Sequence, residues 1–394
     1  MKISQYKETK FMSHYSEGIV AMRNKDVEHI VNAAANVGDY GHGRKLPKRF
    51  AMLVLADIHR CSKQLHHAIE YLNDMEALDA GICLGDIQGS NYAENDGSWY
   101  SMALKWAQKP FYTVIGNHDG GGISDNGSSD NRTFSGTKQE VFDKFIRPNR
   151  KCMGLPSLEK TYYAVNFDAY QVTLIVLDCF MVPDDLDENG NFQITRDVEC
   201  MNQEQLDWLV STLAAVPENY HVLIAFHSYP DSGKIVKCDW TQANITGFGG
   251  GMPLTYGKSE IVPDVVNAWI NGESLNKDYE PIANTDILPI LKVRADFSAR
   301  GKGAFIAYLT GHNHIDFLGT SGKYPDQNVI AFPTSANDNW NNLDCDLPRE
   351  RNTKAEDCLT VLAVDRESRV FHLVRVGSNF TKSLVNRTYY SVSY

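Results

Sequence analysis

Met52-Leu53-Val54-Leu55-Ala56-Asp57-Ile58-His59-Arg60 is an apolar run of strand length that stops abruptly on an acid and an imidazole. The same device recurs along the chain. Gly81–Leu84 runs into Gly85-Asp86, Phe111–Ile115 into Gly116-Asn117-His118-Asp119, Val172–Leu177 into Asp178, Val222–Phe226 into His227, and Phe305–Leu309 into Gly311-His312-Asn313-His314. Near-continuous runs of Val, Ile and Leu predict strands buried on both faces. Helical stretches lie between them. Ser62–Leu78 follows the first run, and Asn202–Ala215, with Leu206, Leu209, Val210 and Leu213 on one face, precedes the His227 run. Strand–helix alternation predicts an α/β fold with largely parallel pairing. In such sheets ligands collect at the carboxyl ends of the strands. Asp57, His59, Asp86, Asn117, His118, His227, His312 and His314 all fall there.

One rim holding three oxygen donors and several imidazoles has a like-charge and desolvation problem unless a cation joins them. Imidazole and carboxylate together suit Zn, Fe or Mn rather than calcium. The ligand supply exceeds what one tetrahedral ion needs, which points to two ions. Each motif also has a plainer reading. Asp86 after Gly85 can be a helix N-cap, and Asn117-His118-Asp119-Gly120 can be turn chemistry. His227, His312 and His314 can simply end their strands. Those readings must hold at every strand end together, whereas one metal-centred pocket accounts for all of them at once.

The ordered set Asp57-x-His59, Gly85-Asp86, Gly116-Asn117-His118-Asp119, His227 and Gly311-His312-Asn313-His314 resembles the calcineurin-like metallophosphoesterases. The separations, 29 positions from Asp57 to Asp86 and 31 from Asp86 to Asn117, fit that family as well. The resemblance spans roughly Pro47 to His314 plus a C-terminal hairpin. It implies a four-layer α/β/β/α sandwich of two mixed β-sheets flanked by helices. It also implies a first ion on Asp57, His59 and His314, a second on Asn117, His227 and His312, and Asp86 as the bridge, about 3.5–4 Å apart. The implied chemistry is hydrolysis of a phosphodiester or phosphomonoester by hydroxide formed on the metals, attacking in line. His118 would assist the leaving group, and Asp119 would hold its other ring nitrogen. Arg60 and Tyr229 are candidate substrate contacts. Trp240 and Trp340 are weaker ones, and Asp178 reads as a structural strand-end residue.

The remaining sequence bounds these expectations. Of the 394 residues, 49 are acidic and 38 basic, a formal net charge of −11. That balance disfavours duplex nucleic acid and anionic membrane surfaces as partners. A small phosphorylated substrate held by cations remains compatible with it. The start of the chain lacks the apolar run of a secretory leader, and no segment approaches the roughly 18 apolar residues of a membrane helix. A cytoplasmic setting is the default. The eight cysteines form no CxxC pair. Residues 1–46 read as an N-terminal helical extension. Residues 47–394 read as one domain with loop insertions near 120–137 and 228–285. Nothing indicates the oligomeric state. The alternative to an enzyme is a catalytically silent metal-binding module, in which the extension and the long insertion dock a partner.

Overall fold

In the computed structural model, alternation along the first strand already defines the layers. The structure describes residues 49–89, 97–121, 135–230, 234–235, 260–314, 317–336, 356–377 and 389–394. Residues 1–46, Trp240, Trp340, residues 122–134 of the expected insertion near 120–137, and residues 231–233 and 236–259 of the one near 228–285 lie outside them. The strands are β1 (Phe50–Leu55), β2 (Ala80–Cys83), β3 (Phe111–Thr113), β4 (Tyr163–Phe167), β5 (Val172–Val176), β6 (His221–Ala225), β7 (Lys234–Ile235), β8 (Ser274–Tyr279), β9 (Leu291–Asp296), β10 (Ala304–Thr310), β11 (Phe317–Thr320), β12 (Asn328–Ala331), β13 (Cys358–Asp365), β14 (Val370–Gly377) and β15 (Tyr389–Ser393). All six residues of β1 are buried. Phe50, Met52 and Val54 face a core shared with Leu223, Ala225 and Ile306 of the other sheet. Ala51, Leu53 and Leu55 face the opposite way, onto Leu65, Ala68, Ile69 and Leu72 of helix Ser62–Asp74.

β6 repeats the pattern. Leu223 and Ala225 enter the shared core, while Val222 and Ile224 pack outward on Leu206, Leu209 and Leu213 of helix Gln203–Ala215. Two sheets therefore pack face to face with helices outside, the four-layer sandwich expected. One sheet runs β15-β14-β13-β1-β2-β3 and the other β4-β5-β6-β10-β12-β11-β7. The central pairs β1–β2, β2–β3, β5–β6, β6–β10 and β10–β12 are parallel. Their carboxyl ends thus share one rim in each sheet. Antiparallel strands complete both sheets, so each is mixed; β13 and β14 form the expected C-terminal hairpin, closing at Asp365↔Val370. Among the described residues no helix is long and apolar enough to cross a membrane, and the six described cysteines are free thiols.

Towards the end of the long insertion, helix Ile261–Asn271 packs into the outer core. Asp264 in its first turn is 3% exposed. Its Oδ2 accepts from Lys277 Nζ at 2.6 Å and Tyr279 Oη at 2.8 Å. Its Oδ1 accepts from Lys323 Nζ at 2.7 Å and Tyr324 Oη at 2.5 Å. Burial alone would raise this carboxyl, but those donors hold it below the ordinary carboxylate range. The clasp ties the helix to the β8–β9 hairpin and to the β11–β12 turn.

Candidate metal centre

The loops leaving β1 and β2 run side by side. Asp57 N–H donates to Gly85 O at 3.1 Å, and His59 N–H donates to Asp86 O at 2.9 Å. On the other sheet, Gly311 N–H donates to His227 O at 2.8 Å. Between the sheets, His312 N–H donates to Asp57 Oδ1 at 3.0 Å and His227 Nδ1 meets Leu84 O at 2.7 Å, which brings the two rims together. Asp57, His59, Arg60, Asp86, His312 and His314 all adopt left-handed backbone, with φ from 39° to 70°. That region costs a non-glycine residue about 1 kcal/mol or more, and such strain concentrates where surrounding structure enforces it for function. The glycines beside them are required by close approach. A Cβ on Gly85 would lie 2.6 Å from His227 Nδ1, and one on Gly116 would lie 2.2 Å from Asp86 Oδ1.

Two groups of donor atoms result. Asp57, His59, Asp86 and His314 each place a donor within 4.8 Å of the others, and so do Asp86, His227 and His312. Asp86 belongs to both. Asn117 completes the second group, with Oδ1 at 3.1 Å from His227 Nε2 and 3.1 Å from His312 Nδ1. Asp57, Asp86 and His227 are essentially inaccessible to solvent.

Backbone carbonyls reveal what these rings offer. A carbonyl only accepts, so the nitrogen facing it carries hydrogen and leaves a lone pair on the other nitrogen of a neutral ring. His59 Nδ1 faces Gln88 O at 3.0 Å, and His227 Nδ1 faces Leu84 O at 2.7 Å. Their Nε2 lone pairs therefore point into the cluster. His59 Nε2 lies 2.9 Å from His314 Nε2. His227 Nε2 lies 3.2 Å from Asp86 Oδ2 and 3.8 Å from Asp57 Oδ1. Acceptors converging on acceptors in a dry pocket are unfavourable unless a proton or a cation sits among them. The acid–base balance expresses the same demand. Burial lowers the proton affinity of His227, yet Asp86 and Asp57 override it and raise its pKa to about 10. His312 goes the other way, to about 4, through burial and the neighbouring His227. Donor set, geometry and charge all fit cations.

Residues 50–251, just over half of the chain, match the family model for calcineurin-like phosphoesterases. The chain belongs to the calcineurin-like phosphoesterase family. It is accordingly a metal-dependent phosphoesterase. The matched span ends before Gly311, and the fold brings His312 and His314 back onto it. Among the solved structures that the chain resembles at low identity are the following three. TT1561 of Thermus thermophilus is 9% identical, covering 83% of this chain and 99% of its own, with a TM-score of 0.39. A conserved, predicted phosphoesterase of Streptococcus pneumoniae is 7% identical, covering 88% and 98%, with a TM-score of 0.32. The phosphopantetheinyl hydrolase of Mycobacterium tuberculosis is 11% identical, covering 73% and 90%, with a TM-score of 0.35. No curated protein sequence matches the chain.

Other residues of this phosphoesterase meet expectation in part. His118 does stand beside the cluster, with Nε2 3.8 Å from Asp86 Oδ2. Its Nδ1, however, donates to Gly89 O at 2.6 Å. Asp119 does not hold it, because its own oxygens accept from Gly116 N–H at 2.8 Å and Gln88 N–H at 2.9 Å. Asp119 is a loop staple instead, its carboxyl pushed up to about 7 by burial and by Asp86. Tyr229 is fully buried in the outer core, so it offers no open ring face. Asp178 is structural, accepting from Thr161 Oγ1 at 2.7 Å and Phe180 N–H at 2.9 Å. The Arg60 side chain lies against Gly89. Glu199, which no motif singles out, is buried and faces His312 Nε2 at 3.7 Å.

Proposed function

We propose that the phosphoesterase is dinuclear and cleaves a small phosphoric ester, mono- or diester. Asp57, His59 and His314 would hold one ion, and Asn117, His227 and His312 the other, with Asp86 as the shared ligand. The observation that carries this reading is the membership of Asp86 in both donor groups. Mixed imidazole and carboxylate donors suit Mn, Fe or Zn, in divalent or trivalent form. Bound there, the ions supply Lewis acidity toward the phosphoryl oxygens and acidify a water for in-line attack.

The chain's own residues do the rest. Gly89 O fixes the His118 ring by accepting from Nδ1, which turns Nε2 toward the cluster. A proton at Nε2 can then pass to the departing alkoxide. Asp119 keeps the Gly116 and Gln88 backbone in register behind that ring. Arg60, whose stem lies against Gly89, would pair with a non-reacting phosphate oxygen. Residues 47–394 would form this catalytic domain, with residues 1–46 as an appendage. Metal analysis of the purified chain, with turnover of bis-p-nitrophenyl phosphate and p-nitrophenyl phosphate in Mn²⁺, tests the reading. Two ions per chain and turnover lost to a chelator are expected. One ion per chain would sink the dinuclear assignment, and two ions without turnover of any ester would favour the silent module.

A further inference from the structure

A buried acid lies behind the second donor group. Glu199, in the segment between β5 and helix Gln203–Ala215, is 7% exposed. Ser228 Oγ, one residue past His227, donates to Glu199 Oε1. Ser228 is itself fully buried, and its N–H meets Cys179 Sγ at 3.4 Å. That hydroxyl therefore comes from a rigid point. The same Glu199 oxygen lies 3.7 Å from His312 Nε2, while His312 Nδ1 faces Asn117 Oδ1 at 3.1 Å. The His312 ring thus spans the gap between cluster and acid.

The two nitrogens of a neutral imidazole have opposite roles, so a lone pair offered by Nδ1 requires a hydrogen on Nε2. His59 and His227 have their outer nitrogens fixed by neutral backbone carbonyls. His312 faces a carboxyl group instead. A carboxylate drawn in from 3.7 Å would make a stronger hydrogen bond than a neutral carbonyl and increase the basicity of the ligating nitrogen. We infer that Glu199 is a positioning residue for the second ion: with Ser228, it holds the His312 ring in the orientation and tautomer that turn Nδ1 toward Asn117. The inference rests on the metal-binding role proposed above.

The full chain, stripped of metal and titrated with Mn²⁺ alone, tests it. Stepwise dissociation constants, the electron paramagnetic resonance of the coupled ion pair, and melting of the metal-free form are measured together. Glu199→Ala should weaken the second step by about 10–100-fold and leave the first within about twofold. Glu199→Gln keeps the shape and one acceptor, so it should fall between wild type and Ala. Ser228→Ala should weaken the same step, by less. Unchanged affinities in the Glu199 variants, with wild type binding two ions, overturn the positioning role. Equal weakening of both steps with a lowered metal-free melting point overturns it too, in favour of a general packing role. A wild-type chain that binds fewer than two ions overturns the dinuclear proposal itself, and that outcome is visible without any substitution.

Discussion

Asp86 and Asp264 are both buried carboxylates, 1% and 3% exposed, and the protein treats them in opposite ways. Asp264 is surrounded by donors: two lysine ammoniums and two tyrosine hydroxyls saturate its oxygens. Its charge is neutralised from within, on a helix with ordinary backbone. Asp86 sits on left-handed backbone among imidazoles whose outer nitrogens meet backbone carbonyls, so that each ring, when neutral, turns a lone pair inward. Its Oδ1 takes a hydrogen bond from His118 N–H at 3.0 Å, and its Oδ2 faces His227, His118 and His59 at 3.2, 3.8 and 3.9 Å. The first arrangement closes on itself and stabilises. The second leaves a deficit of positive charge that only something from outside can fill.

The largest expected effect falls on Asp86. Asp86→Ala should reduce ester turnover to background and bound metal to at most one ion, read by metal analysis beside the rate assay. Retention of two ions would erase the contrast with Asp264. His118→Gln should keep both ions and lose about 10²–10⁴ in rate. Metal loss in that variant would move His118 from the reaction to the ligand set. Gly116→Ala sharpens the geometric side, since its Cβ would collide with Asp86 Oδ1. Displacing the shared carboxylate by about 1 Å should cost about 10²-fold in turnover. The smallest effect on activity belongs to the clasp. Asp264→Asn should lower unfolding free energy by about 1–3 kcal/mol at neutral pH, with metal content and turnover unchanged. The carboxyl of Asp264 is depressed in the folded state. Its contribution is therefore present above the unfolded carboxylate value of about 3.9 and fades as pH falls through the lower folded value. Denaturant melts of wild type and variant should converge in acid, and a constant gap would refute the charge argument.

Much of this is legible in the sequence, because the signal is one-dimensional. An apolar run predicts a strand, and the polar residue that stops it must stand at the strand's end. Asp57, Asp86, Asn117, His227 and His312 all obey that logic; parallel pairing brings the first three to the rim of one sheet and the last two to the rim of the other. The four layers follow from β1 and β6 alternating between two cores. The illegible parts are those carried by backbone or by isolated side chains. Leu84, Gln88 and Gly89 orient three imidazoles through their carbonyls, a function that any residue type can perform. The nearness of Asp119 to His118 in sequence suggests a contact, but the short helical turn at His118–Gly120 points the acid back at Gly116 and Gln88. Tyr229 could as well have faced solvent from a strand end. Glu199 lies in an irregular segment without periodicity, and only the closed fold sets it beside Ser228 and His312.

His59 and His314 meet at 2.9 Å although 255 positions separate them in the chain. The first donor group is therefore incomplete in any fragment that stops short of residue 314. A ribosome-bound chain lacking that last imidazole pair would carry four of the strand ends and no complete first site.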